Sequence, residues 1–350
     1  MWGRCKTASY RFLLLLGSVL FLCATQLWCR IPVPPYMVDV RELGEKAPIV
    51  FRGQVVDIRS TWENPPESNQ VKAIATFQVD RVYRGHVGAE TQLPFAYNWF
   101  MAVNGHDCIN LQPNTYWVVF AQEKEGRLEL TDDCNGALPT SPRLGPSLEN
   151  EGWLSQMEAD FIAGLSDRDP TSRLTSIQRL GGLSLPSSRD ALHRVIETGD
   201  KEESGWAIYA ALRTGDVTVL PKVKQLLQVG DHAPPESAIA LQLRNVAEGS
   251  AVMDLIAILH TAPGELTRSS TLIALGEKLN DRRAVPSLAA HLSDSDSYAR
   301  YDALVGLMNL THENACALQQ NWQEQDIEPQ ISKCKTWWEQ EGQFQSWTQR

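Results

Sequence analysis

The sequence predicts a multi-domain chain, β then α: a small OB-like antiparallel β-barrel followed by an α-solenoid of stacked helical hairpins. Three observations carry this. Short runs of alternating apolar residues fill the region from Ile49 to Gln122, with Gly, Asn and Pro breaks between them. Leucines then recur at Leu180, Leu212, Leu243, Leu275 and Leu307, separated by 32, 31, 32 and 32 residues. Ahead of both, the first 28 residues have the layout of an export leader. At 350 residues the chain has room for two or three domains. Its 43% hydrophobic and 21% charged residues are ordinary globular values, which argue against wholesale disorder and against a polytopic membrane protein. With 32 Lys and Arg against 42 Asp and Glu, the formal charge is -10. Such an acidic chain has no general attraction to phosphate backbones, so no nucleic-acid partner is expected.

Arg4, Lys6 and Arg11 form a basic start, and an apolar stretch runs on from Phe12. Residues 1–28 read as a signal peptide or an N-terminal signal anchor. Cleavage after Ala24 fits the small-residue rule only in part, because Leu22 is bulky. The anchor reading has 17 residues from Phe12 to Trp28, the short end for a bilayer span. Either reading exports the remainder, to the periplasm, the envelope or the medium, and allows contact with a membrane only through an uncleaved anchor. Of the seven cysteines, Cys29, Cys108, Cys134, Cys316 and Cys334 are then disulfide candidates. Cleavage after Ala24 leaves these five, an odd number, whereas retaining Cys23 leaves six. No CxxC or paired CxxH spacing supports zinc.

The β-barrel is assigned to residues 29–140. IVFRGQVVDI (Ile49–Ile58) is β-branched and ends in a Pro/Asn/Ser loop. In AIATFQVDRVYRG (Ala73–Gly85), Ile74, Thr76 and Gln78 share one side, and Ala75, Phe77 and Val79 the other. TQLPFAY, TYWVVFAQ (Thr115–Gln122) and GRLELTDDCNG complete about five strands, the number of a small Greek-key or OB-like barrel. In this order, IVFRGQVVDI, VDRVYRGHVGAETQL, CINLQPNTYWVVFAQ and GRLELTDDC resemble the netrin-like domain of the tissue inhibitors of metalloproteinases. That resemblance implies an OB-like barrel in which Cys108 and Cys134 tie an N-terminal Cys-containing segment, carrying Cys29, to the sheet. The family's inhibitors begin with Cys-x-Cys, whose first residue grips the protease zinc. Here Arg30 and Ile31 follow Cys29, so the inhibitory motif is missing. Structural stapling is the expected role of these cysteines.

ALPTSPRLGPSLEN (Ala137–Asn150) has three prolines and no apolar period, and reads as a linker, with domain boundaries set at 140 and 150. Residues 151–350 carry about five helical hairpins. Most begin with an Asp-containing turn such as LSDRDP or LSDSDS, and HTAPGE is a looser version. A first helix with small residues (Ala210, Ala238, Ala274) follows, then a second helix such as TVLPKVKQLL or RAVPSLAAHL. A face with apolar residues three and four apart, as at Val285, Leu288 and Leu292, must be covered by the next unit. DRRAVPSLAAHLSDSDSYARYDALVGL (Asp281–Leu307) resembles a bacterial HEAT repeat, with its Val-Pro-x-Leu helix and Asp-x-Asp turn. Beyond the last repeat, Cys316 and Cys334 and the aromatic residues Trp322, Trp337 and Trp338 read as a cap helix, packed by Trp rings and pinned by a disulfide.

Chemistry is sparse. None of the seven histidines stands in HExxH or another close ligand pair, and GxSxG, GxxxxGK[ST] and GxGxxG do not occur. His106 lies near Cys108, but a disulfide would remove the thiolate. Asp132/Asp133 and Asp294/Asp296 sit in turns, where Asp caps helices. Asn309-Leu310-Thr311 is a glycosylation sequon where that chemistry operates. The sequence therefore leads us to expect no enzyme, no cofactor and no metal. The expected function is exported binding of a protein or peptide partner on the solenoid surface. The alternative is metalloprotease inhibition through the edge near Cys29.

Overall fold

The computed structural model describes residues 38–60, 70–98, 109, 111–148, 151–318 and 327–348. The leader, Cys29, Cys108 and Trp322 lie outside them. A short helix, α1 (Val40–Lys46), precedes the first strand, which the all-β reading of this region did not anticipate. Asp39 starts it by accepting the Glu42 backbone N–H at 2.8 Å. Six antiparallel strands follow: β1 (Ile49–Ser60), β2 (Gln70–Arg84), β3 (Glu90–Asn98), β4 (Tyr116–Lys124), β5 (Arg127–Leu130) and β6 (Ala137–Thr140). Their order is β3-β2-β1-β4-β5, with β6 also paired to β4. The sheet is not closed: its hydrogen-bonded path ends at β3 and β5 among the described residues, which does not reproduce the ladder of a closed barrel expected from sequence. ALPT, counted with the linker on its prolines, pairs with β4 instead. Pro139 lacks an N–H, which a strand bonded on one side tolerates.

β1 is central and pairs with both β2 and β4. Its residues are buried on both faces. On one, Phe51 and Val55 join Ala75, Phe77, Leu93, Trp117 and Val119 in the sheet's own core. Phe51 and Phe77 meet edge to face at 5.6 Å between ring centroids. On the other face, Val50, Val118, Phe120 and Leu138 belong to one continuous core with the helices. The uninterrupted apolar run Trp117–Ala121 is the sequence trace of this two-sided burial.

The helices are α2 (Trp153–Gly164), α3 (Pro170–Leu183), α4 (Arg189–Thr198), α5 (Lys201–Arg213), α6 (Leu220–Leu227), α7 (Glu236–Leu243), α8 (Val252–Thr261), α9 (Glu265–Ile273), α10 (Val285–His291), α11 (Ser297–Thr311) and α12 (Glu328–Gln340). α3, α5, α7, α9 and α11 are the first helices of successive hairpins and pack in that order, each on the next. Leu180, Leu212, Leu243 and Leu307 are buried on α3, α5, α7 and α11, and Leu275 is buried in a π turn (Ala274–Lys278) that extends α9. Small residues set the helix spacing. A Cβ on Gly276 would stand 2.3 Å from the Gly306 Cα, and one on Gly181 3.0 Å from the Ala210 Cα. An Asp-x-Asp turn followed by Arg recurs at 167–173 and 294–300. Arg173 donates to the Asp167 and Arg168 carbonyls and reaches Glu203 on α5 at 2.6 Å. Arg300 likewise holds the Asp294 and Ser295 carbonyls and Glu328 on α12. Arg268, on α9, pairs with Asp294 through two nitrogens.

Sheet and helices are joined by buried polar contacts. Arg52 is fully buried on β1; its Nη1 donates to Asp80 and its Nη2 to the Ser141 carbonyl, each at 2.6 Å. Asp160 on α2 accepts from Arg81 at 2.5 Å, Tyr83 at 2.7 Å and the Gly145 N–H at 2.8 Å. Burial pushes the Asp160 carboxyl up, and these donors act against it. Arg179 is buried on α3 and donates to the Pro139 carbonyl of β6 at 3.4 Å; burial pushes its guanidinium down to about 10. The stretch read as a linker is thus fastened from both sides, and residues 34–350 form one compact unit.

At the C-terminal end, α12 packs against α11 and a turn at Asn314–Cys316. Cys316 and Cys334 form a disulfide across that contact. Trp337 is buried, Trp338 half-buried, and both pack on Trp347 with centroids 6.4 and 6.3 Å away. Arg282 covers the Trp347 ring at 4.7 Å.

Candidate functional site

The first helices expose a strip of half-buried side chains, and a groove of about 500 Å³ opens between α5 and α7. Tyr209 and Ala238 form its buried floor, beside half-buried Leu241; Arg213, Gln242, Arg244 and Asn245 supply polar edges, and the α3 cap Ser184 closes one end. Helical spacing explains the set: Tyr209 and Arg213 are four apart on α5, and Ala238, Leu241 and Gln242 are three and four apart on α7. Two guanidinium groups flanking apolar surface favour an anionic or carbonyl-rich ligand.

Arg244 also acts on a buried acid further along the same face. Asp302 of α11 is 9% exposed and accepts from Ser269 of α9 at 2.5 Å. Burial pushes its carboxyl up to about 6; Glu277 adds to the rise, while Ser269 and Arg244 oppose it. A raised carboxyl pKa means the folded state takes up a proton first. Its ionisation therefore costs stability as the pH climbs from about 4 through about 6, and the cost is absent below the unfolded value. Asp302→Asn is expected to stabilise the protein by about 1 kcal/mol at pH 7.5, the figure being reduced for solvent screening, with no gain at pH 4. Paired thermal melts at the two pH values check this. An equal gain at both would assign the effect to packing.

On the second helices, His193 of α4 contacts Asp216 at 2.7 Å. Burial pushes the Asp216 carboxyl up, but hydrogen bonds from Thr218 and His193 outweigh it and hold the carboxyl below its usual range. His260 of α8 and His291 of α10 face one another. Among the described residues, no three His, Cys, Asp or Glu side chains are placed to hold a metal ion together, and no helix is long and apolar enough to cross a membrane. Asp132 accepts the Cys134 and Asn135 N–H groups, and Asp296 those of Tyr298 and Ala299, so these acids act as turn and helix caps. The sequon residue Asn309 is half-buried and donates to the Gly276 carbonyl at 3.2 Å.

Cys134 is disulfide-bonded. Cys29 and Cys108, and with Cys29 the edge required by the inhibitor alternative, fall outside the described residues. Sequence reading missed the groove because its two sides come from consecutive hairpins, and the period does not tell which helix faces outward. It missed the arginine links as well, although their D-x-D-x-x-x-R spacing is present twice.

No protein-family model matches the chain, and no curated protein does. Among solved structures, the complex of CpcE and CpcF of phycocyanin lyase from Nostoc sp. PCC7120 contains a chain that matches with a TM-score of 0.35 and 21% identity, covering 50% of this chain and 70% of that one. This finding corrects the expectation that the chain is not an enzyme. That expectation rested on missing motifs alone, and the matched complex is named a lyase. At this identity the match assigns no reaction to the present chain.

Proposed function

We propose that this protein works outside the cytoplasm and binds a protein or peptide partner on the exposed face of its first-helix layer, centred on the groove between α5 and α7. The groove carries the proposal: an apolar floor at Tyr209, Ala238 and Leu241, edged by Arg213 and Arg244, has the composition of an interface centre. Export is supported by the basic-then-apolar leader, the Cys316–Cys334 disulfide and the disulfide-bonded Cys134. The netrin-like reading of the sheet belongs to this proposal. It is supported by the central β1, flanked by β2 and β4, and by the approach of the edge strands β3 and β5 to each other.

A photo-crosslinking side chain at Leu241, compared in the native cell with one at half-buried Lys224 on α6 of the second-helix layer, tests the assignment. The expected result is a discrete protein adduct from position 241 that Arg244→Glu abolishes, with none from 224. Adducts from 224 alone, or from both positions equally, would place the partner elsewhere.

A further inference from the structure

We infer that the partner segment seated between α5 and α7 is acidic, with its carboxylates held at the Arg213 and Arg244 end of the face and kept away from the far end by Asp302 and Glu277. This rests on the groove as the partner site and adds the chemistry of the occupant. The two arginines are placed by the repeat. Each follows the buried leucine of its unit, Leu212 or Leu243, so consecutive hairpins bring both to one groove. The units on either side carry Gly181 and Gly276 at this position, which keeps the paired charge local. Arg173, Arg268 and Arg300, near the other ends of the first helices, are each matched with an acid of the following unit or cap. Arg244 is exposed and makes no hydrogen bond or ion pair among the described residues. A guanidinium beside an apolar floor, with no carboxylate of its own chain bonded to it, is open to a bidentate carboxylate from a ligand.

The same face turns negative towards α11. Asp302 accepts from Ser269 of α9 through one oxygen, and its other oxygen has no hydrogen-bond partner among the described residues. The charged and titratable groups that act on it are Glu277 from the π turn, Arg244 from α7, and Asp296 and Tyr301 from its own helix and cap. Arg244 is therefore shared: it lines the groove and also favours the charged form of Asp302. An acidic segment at Arg244 meets repulsion from Asp302 and Glu277 while these are ionised, and less once Asp302 takes up its proton below about 6. The grip on an acidic segment tightens as the pH falls.

Isothermal titration of the full chain with three synthetic peptides tests this. All share one set of apolar residues, and their polar positions are all Asp, all Ser or all Lys. The acidic peptide is expected to bind most tightly, although the chain's formal charge of -10 by itself favours the basic one. Arg244→Glu should weaken its binding at least about tenfold, whereas Arg194→Glu, the same charge change at an exposed position on α4, should shift it by less than about twofold. The wild type should bind the acidic peptide about threefold more tightly at pH 5.5 than at pH 7.5, and Asp302→Asn should remove that difference. The crosslink at Leu241 reports separately on the groove. A native adduct there, with the Ser or Lys peptide bound as tightly as the Asp peptide, would overturn the acidic occupant and leave the groove as the site. An acidic peptide that binds regardless of Arg244→Glu, or fails to bind at millimolar concentration, would overturn it as well. Equal pH responses of the wild type and Asp302→Asn would overturn the part given to Asp302.

Discussion

Asp160→Ala is expected to lower the unfolding free energy by about 3–5 kcal/mol. The carboxylate is 2% exposed and is the common acceptor for Arg81, Tyr83 and the Gly145 N–H. Removing it leaves the Tyr83 phenol and the Gly145 amide without their acceptor and the Arg81 guanidinium with only the Gly145 carbonyl, and each carries a desolvation cost. The intact pair adds much less than this to stability, because taking both charges out of water offsets most of their attraction. Arg81→Ala should therefore cost a similar amount by stranding Asp160, and the double variant clearly less than the sum. Urea unfolding of the four proteins, followed by tryptophan fluorescence and far-UV circular dichroism, reads the cycle. Strict additivity would show that the two residues do not act as a unit. The location gives the loss its meaning: Arg81 and Tyr83 lie on β2 and Asp160 on α2, so this cluster fixes the sheet against the first helices.

Cys316→Ser combined with Cys334→Ser is expected to cost about 3 kcal/mol, because the bond closes a loop of 18 residues and restricts the unfolded chain. Both cysteines are fully buried, so the serine hydroxyls add a burial cost of their own. Loss should begin at the cap. α12 covers the end of the helical stack through Ile331 and Trp337, and a terminal unit has a neighbour on one side only. Arg300–Glu328 and the Arg282–Trp347 contact persist in the variant and hold part of the cap. Limited proteolysis of the oxidised wild type, the reduced wild type and the variant should show cleavage within α12 first in the last two. Equal resistance in all three would remove the bond from the account of stability.

The helical half was legible because its signal is repetitive. Five leucines about 32 residues apart reported the same core position five times, and all five are buried. The five strands read from sequence were found by short alternating or β-branched apolar runs between turn residues, properties local to each strand. β6 escaped because its four residues look like a proline turn until β4 supplies the partner. α1 escaped because seven residues are too few to show a helical period. The candidate site was less legible. Tyr209, Arg213 and Arg244 stood within aligned repeat segments, but a 3.6-residue period orients a helix only relative to its own axis. His260 and His291 read as isolated residues until the hairpins stacked.

By itself the sequence determined the kind of most elements and the order of the two halves, sheet before helical stack, because hydrophobic period and turn chemistry act within a few residues. Tertiary structure alone decided that the sheet's hydrogen-bonded path ends at β3 and β5 among the described residues, that its second face packs on the helices, and which side chains from consecutive hairpins meet. A strand such as Trp117–Ala121 has the same local pattern whether its far face meets a barrel wall or a helix. Only the packing of Val118 and Phe120 into the helical core distinguishes the two.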